Sequence, residues 1–200
     1  SFDGVDDNDT TSVASYVHVP DAVSLNVTGS FTLSTWIKPD ILTGARTIIG
    51  NCDRSPDPER NGYTLRFNNS KLQFIYSNNG TDYSTELDPV SDYFTADTWA
   101  YVVGVHDTEN DEDKLYINGE LVKTDSSRVF DAGISGEDFK VGVRADADAD
   151  YFSGLIDDAQ IWSTALSQEE IQTNINSELY GDENGLVGYR KFNAGDGGTL

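Results

Sequence analysis

Asp157 is the acidic residue whose position in the sequence most strongly suggests a chemical role. It lies in the run FSGLIDDAQIW at residues 152–162, which is apolar enough to form a buried strand. Side chains two residues apart on a strand share a face, so we predict that Asp157 points with Ala159 and Ile161 into the core. A carboxylate there is costly unless a cation or several hydrogen-bond donors meet it. Asp157 therefore either binds a metal ion or caps N–H groups of a loop.

Two further segments concentrate oxygen ligands between apolar runs. One is the loop at 51–61, and the other is the Ala-Asp alternation at 145–150. Calcium takes six to eight oxygen ligands from carboxylates, carbonyls and water. The Ala-Asp alternation is equally explained as a solvated acidic loop. The candidate side chains in them are Asp53, Asp57, Glu59, Asn61, Asp146, Asp148 and Asp150.

The charge of the chain excludes one class of partner. Thirteen basic residues stand against 35 acidic ones, which gives a net charge of −22. Nucleic acids require a basic surface, so we exclude them as partners. No apolar run approaches the roughly 20 residues that a membrane-spanning helix needs, so membrane insertion is not expected. Cys52 is the single cysteine, and therefore no internal disulfide forms.

The elements that must position these residues are short strands. In 32–39, Leu33 and Ile37 share a face opposite Trp36, which indicates a strand that ends at Pro39. Turn signals, among them Asn-Gly pairs, recur at intervals of about ten residues, as in β-sandwiches. One short helix is predicted near the C-terminus, where Ser167 and Glu170 form a capping box. We predict an all-β fold, a two-sheet antiparallel β-sandwich with one short helix near the C-terminus.

Several segments, in the right order, resemble one family of jelly-roll domains. The runs GLIDDAQIW (154–162) and ALSQEEI (165–171) resemble the C-terminal signature of laminin-G-like and pentraxin-like domains. The opening SFDG (1–4), FTLSTWIKP (31–39) and KLYINGELV (114–122) resemble earlier strands of the same family. The resemblance covers nearly the whole chain and implies a concanavalin A-like jelly roll. We expect one domain over 1–200, excised from a longer multidomain surface protein.

The resemblance also implies calcium as a cofactor. In the family, the Asp of the "I-D" signature and oxygens near the opening strand meet one ion, which here gives Asp157 and Asp3. Pentraxins hold calcium with acidic residues of the loop before the "G-x-I" strand and of a loop after an early strand. The matching loops here are 145–150 and 51–61.

The strand order of this fold leads us to expect that these two loops share one end of the sandwich. We predict Asp146 and Asp148 as calcium ligands, with Asp53 or Asn61 completing the shell. The remaining ligand-binding candidates are Glu59, Asp150, and two aromatic rings against which a sugar could stack, Tyr63 and Tyr151.

We expect a function in recognition rather than catalysis. No paired-carboxylate run typical of jelly-roll glycosidases occurs, and the two histidines, His18 and His106, are interpreted as structural. The leading hypothesis is a calcium-containing, lectin-like or adhesive module that binds carbohydrate or a cell-surface glycoconjugate or protein. The alternatives are a structural spacer in a large surface protein and an accessory domain of a polysaccharide-degrading enzyme. We expect a monomer, secreted or on a bacterial cell surface.

Overall fold

The computed structural model describes residues 16–52, 60–127, 130–146 and 149–192, together with the backbone of Phe2 and Asp3. Within these residues the strands form two antiparallel sheets, one of seven strands and one of six. The predicted all-β sandwich with one short helix is confirmed. In chain order the elements are β1 (Phe2–Asp3), β2 (Val17–Val19), β3 (Phe31–Pro39), β4 (Arg46–Gly50), β5 (Gly62–Asn68), β6 (Lys71–Asn78), β7 (Thr81–Leu87), β8 (Ala100–Asp107), β9 (Glu112–Ile117), β10 (Glu120–Asp125), β11 (Phe139–Val141), β12 (Ser153–Trp162), α1 (Gln168–Ile175) and β13 (Leu186–Arg190).

Strand β12, which contains Asp157, lies near one edge of the seven-stranded sheet. The strand order of this sheet is β1-β12-β3-β8-β9-β10, and β13 also pairs with β12. The six-stranded sheet has the order β2-β11-β4-β5-β6-β7. Strand β1, from the opening segment, pairs with β12. The acidic segment at 5–15, predicted to be a loop, lies outside the described residues.

Local sequence signals set the hairpins. The β6–β7 hairpin turns at Asn79-Gly80, where φ is 46° and 78°, and the β9–β10 hairpin turns at Asn118-Gly119, where φ is 52° and 81°. Both central residues of a type I′ turn need positive φ, which Asn and Gly tolerate best. The prediction of tight Asn-Gly turns is confirmed.

The core lies between the inner faces of the two sheets. Leu33 and Ile37 of β3 are fully buried there, and Leu65 and Phe74 of the other sheet are buried opposite them. The ring of Phe74 crosses β8 at Gly104, where an added Cβ would lie 2.6 Å from it. A side chain at that point would push the sheets apart.

Helix α1 packs on the outer face of the seven-stranded sheet. Ser167 and Glu170 form the predicted capping box, and Ile171 is buried against a cluster that includes Tyr116 and Trp162. The helix covers only part of this face, and the outer surface near Trp36 stays open. Among the described residues, no helix has the length and apolar character needed to cross a membrane.

Candidate functional site

Asp157 lies on the outer face of the seven-stranded sheet rather than in the core. The pairing of β12 with β3 shifts register just after Asp157, where Asp158 has a φ of 47°. An extra residue in one strand reverses the alternation of its side chains. Ile156 and Ala159 therefore both face the core, whereas Asp157 does not. The prediction that Asp157 points with Ala159 and Ile161 into the core is wrong because of this β-bulge.

The partners of Asp157 are backbone N–H groups. Its Oδ1 atom accepts hydrogen bonds from the N–H of Asp158 at 2.8 Å and of Phe192 at 3.1 Å. The backbone of Asp3 pairs with Ser153, four residues along β12 and about 13 Å from Asp157 at 3.3 Å per residue. Two oxygens bound to one calcium ion lie within about 5 Å of each other. The backbone of Asp3, whose side chain is not described, therefore does not meet Asp157.

The two acidic loops leave opposite ends of β4, which contradicts the expectation that they share one end. Strand β11 runs antiparallel to β4, with Lys140 opposite Gly50. The loop after β11 therefore returns to the beginning of β4, where the N–H of Thr47 donates to the carbonyl of Asp150. The loop at 51–61 follows the other end of β4. The predicted shell of Asp146 with Asn61 is wrong for this reason.

Several predicted ligand side chains have other roles. Tyr63 is 1% exposed and its hydroxyl donates to the carbonyl of Leu25, and Tyr151 is 4% exposed, so neither ring offers a face to a sugar. This corrects both predictions. Burial, with a smaller contribution from the Asp21 carboxylate, raises the pKa of Tyr63 far above its ordinary value. Asn61 accepts a hydrogen bond from the N–H of Asn79.

Asp146 and Asp150 both pair with Arg144. The Nε atom of Arg144 lies 2.8 Å from Asp146 Oδ1, and its Nη1 atom lies 3.4 Å from Asp150 Oδ2. The side chain of Asp146 is only 5% exposed. These two carboxylates therefore hold the loop before β12 through an ion pair. The remaining candidates, Asp53, Asp57, Glu59 and Asp148, lie outside the described residues.

The described residues do not fit calcium at the expected places. Within them, no group of three or more His, Cys, Asp or Glu side chains is arranged to hold a metal ion. The Oδ1 atom of Asp157 accepts from two backbone N–H groups, and Asp146 pairs with a guanidinium. Calcium binding stays a prediction.

Both histidines are engaged with carboxylates. His106 is fully buried inside the sandwich, and its Nδ1 atom lies 2.7 Å from Asp113 Oδ1. Asp113 also accepts a hydrogen bond from Tyr76. His18 pairs with Asp138. His106 has no access to a substrate, in keeping with the structural role that the sequence suggested.

An open depression lies on the outer face of the seven-stranded sheet, beside the area covered by α1. It measures about 390 Å³ and is lined by Trp36, Trp99, Asp157 and Asp158. We call it the tryptophan depression. Trp36 is half-buried on β3, and Trp99, just before β8, is 42% exposed. The Trp36 ring rests 5.3 Å from that of Tyr101, which fixes its position.

The carboxylates of the depression make it electronegative. Burial raises the pKa of Asp158, and the Asp157 carboxylate adds to this effect, while the hydrogen bond from Tyr189 partly offsets it. The hydroxyl of Tyr189 lies 3.0 Å from Asp158 Oδ1. Burial, with a smaller contribution from Asp158, also raises the pKa of Tyr101 to about 12. The depression thus combines aromatic faces with hydrogen-bond acceptors.

Two other cavities are less suited to a ligand with hydroxyl groups. One, of about 190 Å³, is lined mainly by apolar side chains such as Leu25, Phe139 and Ile161. The other is polar, but its groups bond to one another: Asp107 accepts from Asn110, and Ser30 bonds to Thr108. The tryptophan depression is therefore the candidate functional site.

The sequence contained a signal for this site. Trp36 falls on the face of its strand opposite Leu33 and Ile37, and this alternation is compatible with an aromatic ring on the outer face of the sheet. The second ring was not recognisable, because Trp99 comes to line the same depression as Trp36 only through the pairing of β3 with β8. The bulge at Asp158 then adds the two carboxylates.

The fold defines a concanavalin A-like jelly-roll domain. A family model described as the concanavalin A-like lectin/glucanases superfamily (Laminin_G_3) matches residues 9–172, and the chain belongs to that family. This confirms the resemblance to laminin-G-like domains. No curated protein sequence matches the chain.

Solved structures of bacterial proteins share the fold. A protein of Bacteroides ovatus that has been assigned a carbohydrate-binding role superposes with a TM-score of 0.70 at 20% identity, over 90% of this chain and 50% of that one. The CBM40 domain of the Ruminococcus gnavus IT-sialidase, bound to α2,3-sialyllactose, gives 0.64 at 18% identity, over 86% of this chain and 95% of that one.

A third structure is the ligand-binding domain of botulinum neurotoxin serotype D in complex with N-acetylneuraminic acid. It gives a TM-score of 0.62 at 20% identity, over 83% of this chain and 40% of that one. The chain thus spans about half of the B. ovatus protein and less of the toxin domain. At these identities, the likeness shows a common fold.

Proposed function

We propose that this protein is a non-catalytic carbohydrate-binding module and that the tryptophan depression binds the glycan. The observation that carries the proposal is the pair of tryptophan rings beside two carboxylates on an open sheet face. Aromatic rings bury the apolar face of a sugar, while carboxylates accept hydrogen bonds from its hydroxyl groups. The depression has room for a sugar ring, and Trp36 is held by strand β3, while Trp99 lies immediately before strand β8.

The neighbours in fold support a carbohydrate ligand. Two of them were solved with sialyllactose or N-acetylneuraminic acid, and a third has been assigned a carbohydrate-binding role. Two neighbours are sialidases or parts of them, from R. gnavus and Streptococcus pneumoniae. This favours the accessory-domain form of the function, in which the module holds a glycan for an attached enzyme. We also propose that the protein is bacterial, that it acts outside the cell and that the domain is monomeric.

A glycan array tests the proposal. Trp99→Ala and Trp36→Ala should each lower affinity for the bound glycan at least about 10-fold, since removal of a central aromatic anchor typically costs 2 kcal/mol or more. Tyr180→Ala is the matched control, because Tyr180 is 90% exposed and lies outside the depression. The array should be run with calcium and with EDTA.

Melting temperatures of the variants separate loss of binding from loss of folding. Trp99→Ala should change the melting temperature little, because Trp99 is the more exposed of the two rings. If a folded Trp99→Ala variant bound the glycan with wild-type affinity, the depression would not be the binding site. A protein that bound no glycan under either condition would favour the spacer function instead.

A further inference from the structure

The two carboxylates of the tryptophan depression have no basic partner in the part of the chain that the structure describes. There, no nitrogen of Lys, Arg or His lies within ion-pair distance of Asp157 or Asp158. Burial is the largest influence on the pKa of Asp158 and raises it, whereas the Lys191 ammonium is the smallest. Lys191 pairs with Glu178 instead. The negative charge of the depression is therefore not neutralised by a described side chain.

Each carboxylate uses only one of its oxygens within the described structure. The Oδ1 atom of Asp157 accepts from two backbone N–H groups, and Oδ1 of Asp158 accepts from the hydroxyl of Tyr189. Neither Oδ2 atom accepts a hydrogen bond from a described residue, and neither is among the buried atoms that lack a partner. Both Oδ2 atoms are therefore accessible to solvent and to a ligand.

This lack of a counter-charge differs from other partly buried carboxylates of the protein. Lys71 lies 2.7 Å from Glu86, and Lys114 lies 3.5 Å from Asp107. In the depression, two carboxylates that are adjacent in the sequence repel each other, and this repulsion adds to burial in raising the pKa of Asp158. A cation bound between them would relieve the repulsion and favour the ionised form of Asp158.

The tryptophan rings favour an organic cation over a metal ion. The face of an indole ring is electronegative, and tryptophan attracts an ammonium group more strongly than the other aromatic residues do. Trp36 and Trp99 line the same open depression as the two carboxylates, and Trp99 is 42% exposed. Calcium needs six to eight oxygen ligands, which two carboxylates between indole rings do not supply.

We propose that the tryptophan depression selects an amino sugar with a free amino group, as in oligomers of D-glucosamine. The ammonium group binds the Oδ2 atoms of Asp157 and Asp158, and the indole rings cover the apolar face of the sugar. This inference rests on the proposed function, because it assumes that the depression binds the glycan. The same carboxylates repel an acidic sugar, so the ligand differs in charge from the sialyllactose and N-acetylneuraminic acid bound by two neighbours in fold.

The test is calorimetric titration with two trimers that share one carbon skeleton, the trimer of D-glucosamine and its fully N-acetylated form. EDTA is present, and the pH is about 6, so that the free amines are protonated. We expect the D-glucosamine trimer to bind at least about 10-fold more tightly, since hydrogen bonds between charged groups are the stronger ones. Equal affinities, or no binding of the D-glucosamine trimer, overturn the inference. Choline is the third probe, and affinity equal to that of the trimer overturns the role of the sugar.

Variants of the carboxylates locate the charge that matters. The double variant Asp157→Asn with Asp158→Asn keeps both Oδ1 acceptors and removes both charges, so it should bind the two trimers equally. Asp111→Asn is the matched control for charge, because Asp111 is exposed, has a φ of 54° and lies outside the depression. It measures the long-range attraction of a cation to the net charge of −22. A double variant that keeps the wild-type preference overturns the inference, as does an equal loss of preference in Asp111→Asn.

Trp99→Ala separates a failure of this inference from a failure of the proposed function. Its affinity for both trimers should fall, because the ring covers the sugar whether or not the amine is charged. If both trimers bind Trp99→Ala as they bind the wild type, the depression is not the glycan site and the proposed function fails there. If Trp99→Ala weakens both trimers but the wild type does not distinguish them, only the preference for an amino sugar is wrong.

Discussion

Asp158 shows how one residue changes what a strand presents. Its positive φ places an extra residue in β12, so that Asp157 and Asp158 come to line the tryptophan depression. Among residues other than glycine, Asp and Asn tolerate a positive φ better than most. At this position the positive φ favours Asp or Asn, whereas burial disfavours the negative charge of Asp.

At Asp158 we predict that Asp158→Asn stabilises the fold at neutral pH. Burial and the Asp157 carboxylate raise the pKa of Asp158, so the folded state favours the protonated form. This stabilising contribution is present below the unfolded pKa and is lost as the pH rises through the folded pKa. The amide avoids the charge and still accepts from Tyr189. Because the group is partly exposed, we expect a gain of about 0.5 kcal/mol.

Urea unfolding at pH 7 and at pH 3 checks this prediction. The gain should be larger at pH 7 than at pH 3, because protonation at low pH removes the charge that burial opposes. Asp97→Asn is the matched control, since Asp97 is exposed and has a φ of 61°, so it isolates the backbone advantage of Asn. A gain of equal size at both pH values would show that charge at Asp158 does not matter.

At the scale of elements, α1 determines how much of the outer sheet face stays open. It is eight residues long, too short to be stable alone, and depends on its cap and on Ile171 packing against the sheet. Gln168 and Gln172 also donate to the carbonyl of Gly119 in the β9–β10 turn. These contacts hold the helix in place over its part of the sheet face, and the tryptophan depression beside it stays open.

For α1 we predict that Ser167→Ala lowers the free energy of unfolding by about 1 kcal/mol, the usual cost of losing an N-cap. The hydroxyl of Ser167 accepts from the N–H of Glu170, and the Glu170 side chain accepts from Ser167 in return. Ser177→Ala is the control, because Ser177 lies beyond the helix and is exposed. Equal unfolding curves for the two variants would show that the cap contributes nothing to stability.

For the whole molecule, the dominant physical quantity is the net charge of −22. Such a charge opposes the compact state through self-repulsion. The ion pairs within the described residues relieve it locally, as at Arg60 with Asp82 and at Lys71 with Glu86. Thirteen basic residues cannot pair with 35 acidic ones, so most of the repulsion remains.

We therefore predict that the melting temperature rises with sodium chloride, since the screening length falls from about 30 Å at 0.01 M to about 3 Å at 1 M. Calcium chloride at matched ionic strength is the second arm. A further rise in melting temperature that EDTA reverses would support the predicted calcium site. Equal melting temperatures in the two salts would mean that calcium acts only by screening charge. A melting temperature that does not change with sodium chloride would mean that the carboxylates are too dispersed to repel.

The strands, the Asn-Gly hairpins, the capped helix and the concanavalin A-like family could be predicted from the amino-acid sequence, because each leaves a pattern in residues that are close together in the chain. Which side chains meet depends on the tertiary structure. Strand order separates the loop at 51–61 from Asp146, and a single bulge moves Asp157 from the predicted core to the surface. Trp36 and Trp99 come to line one depression through the pairing of two strands that are distant in the sequence. Such pairings leave no local pattern in the sequence.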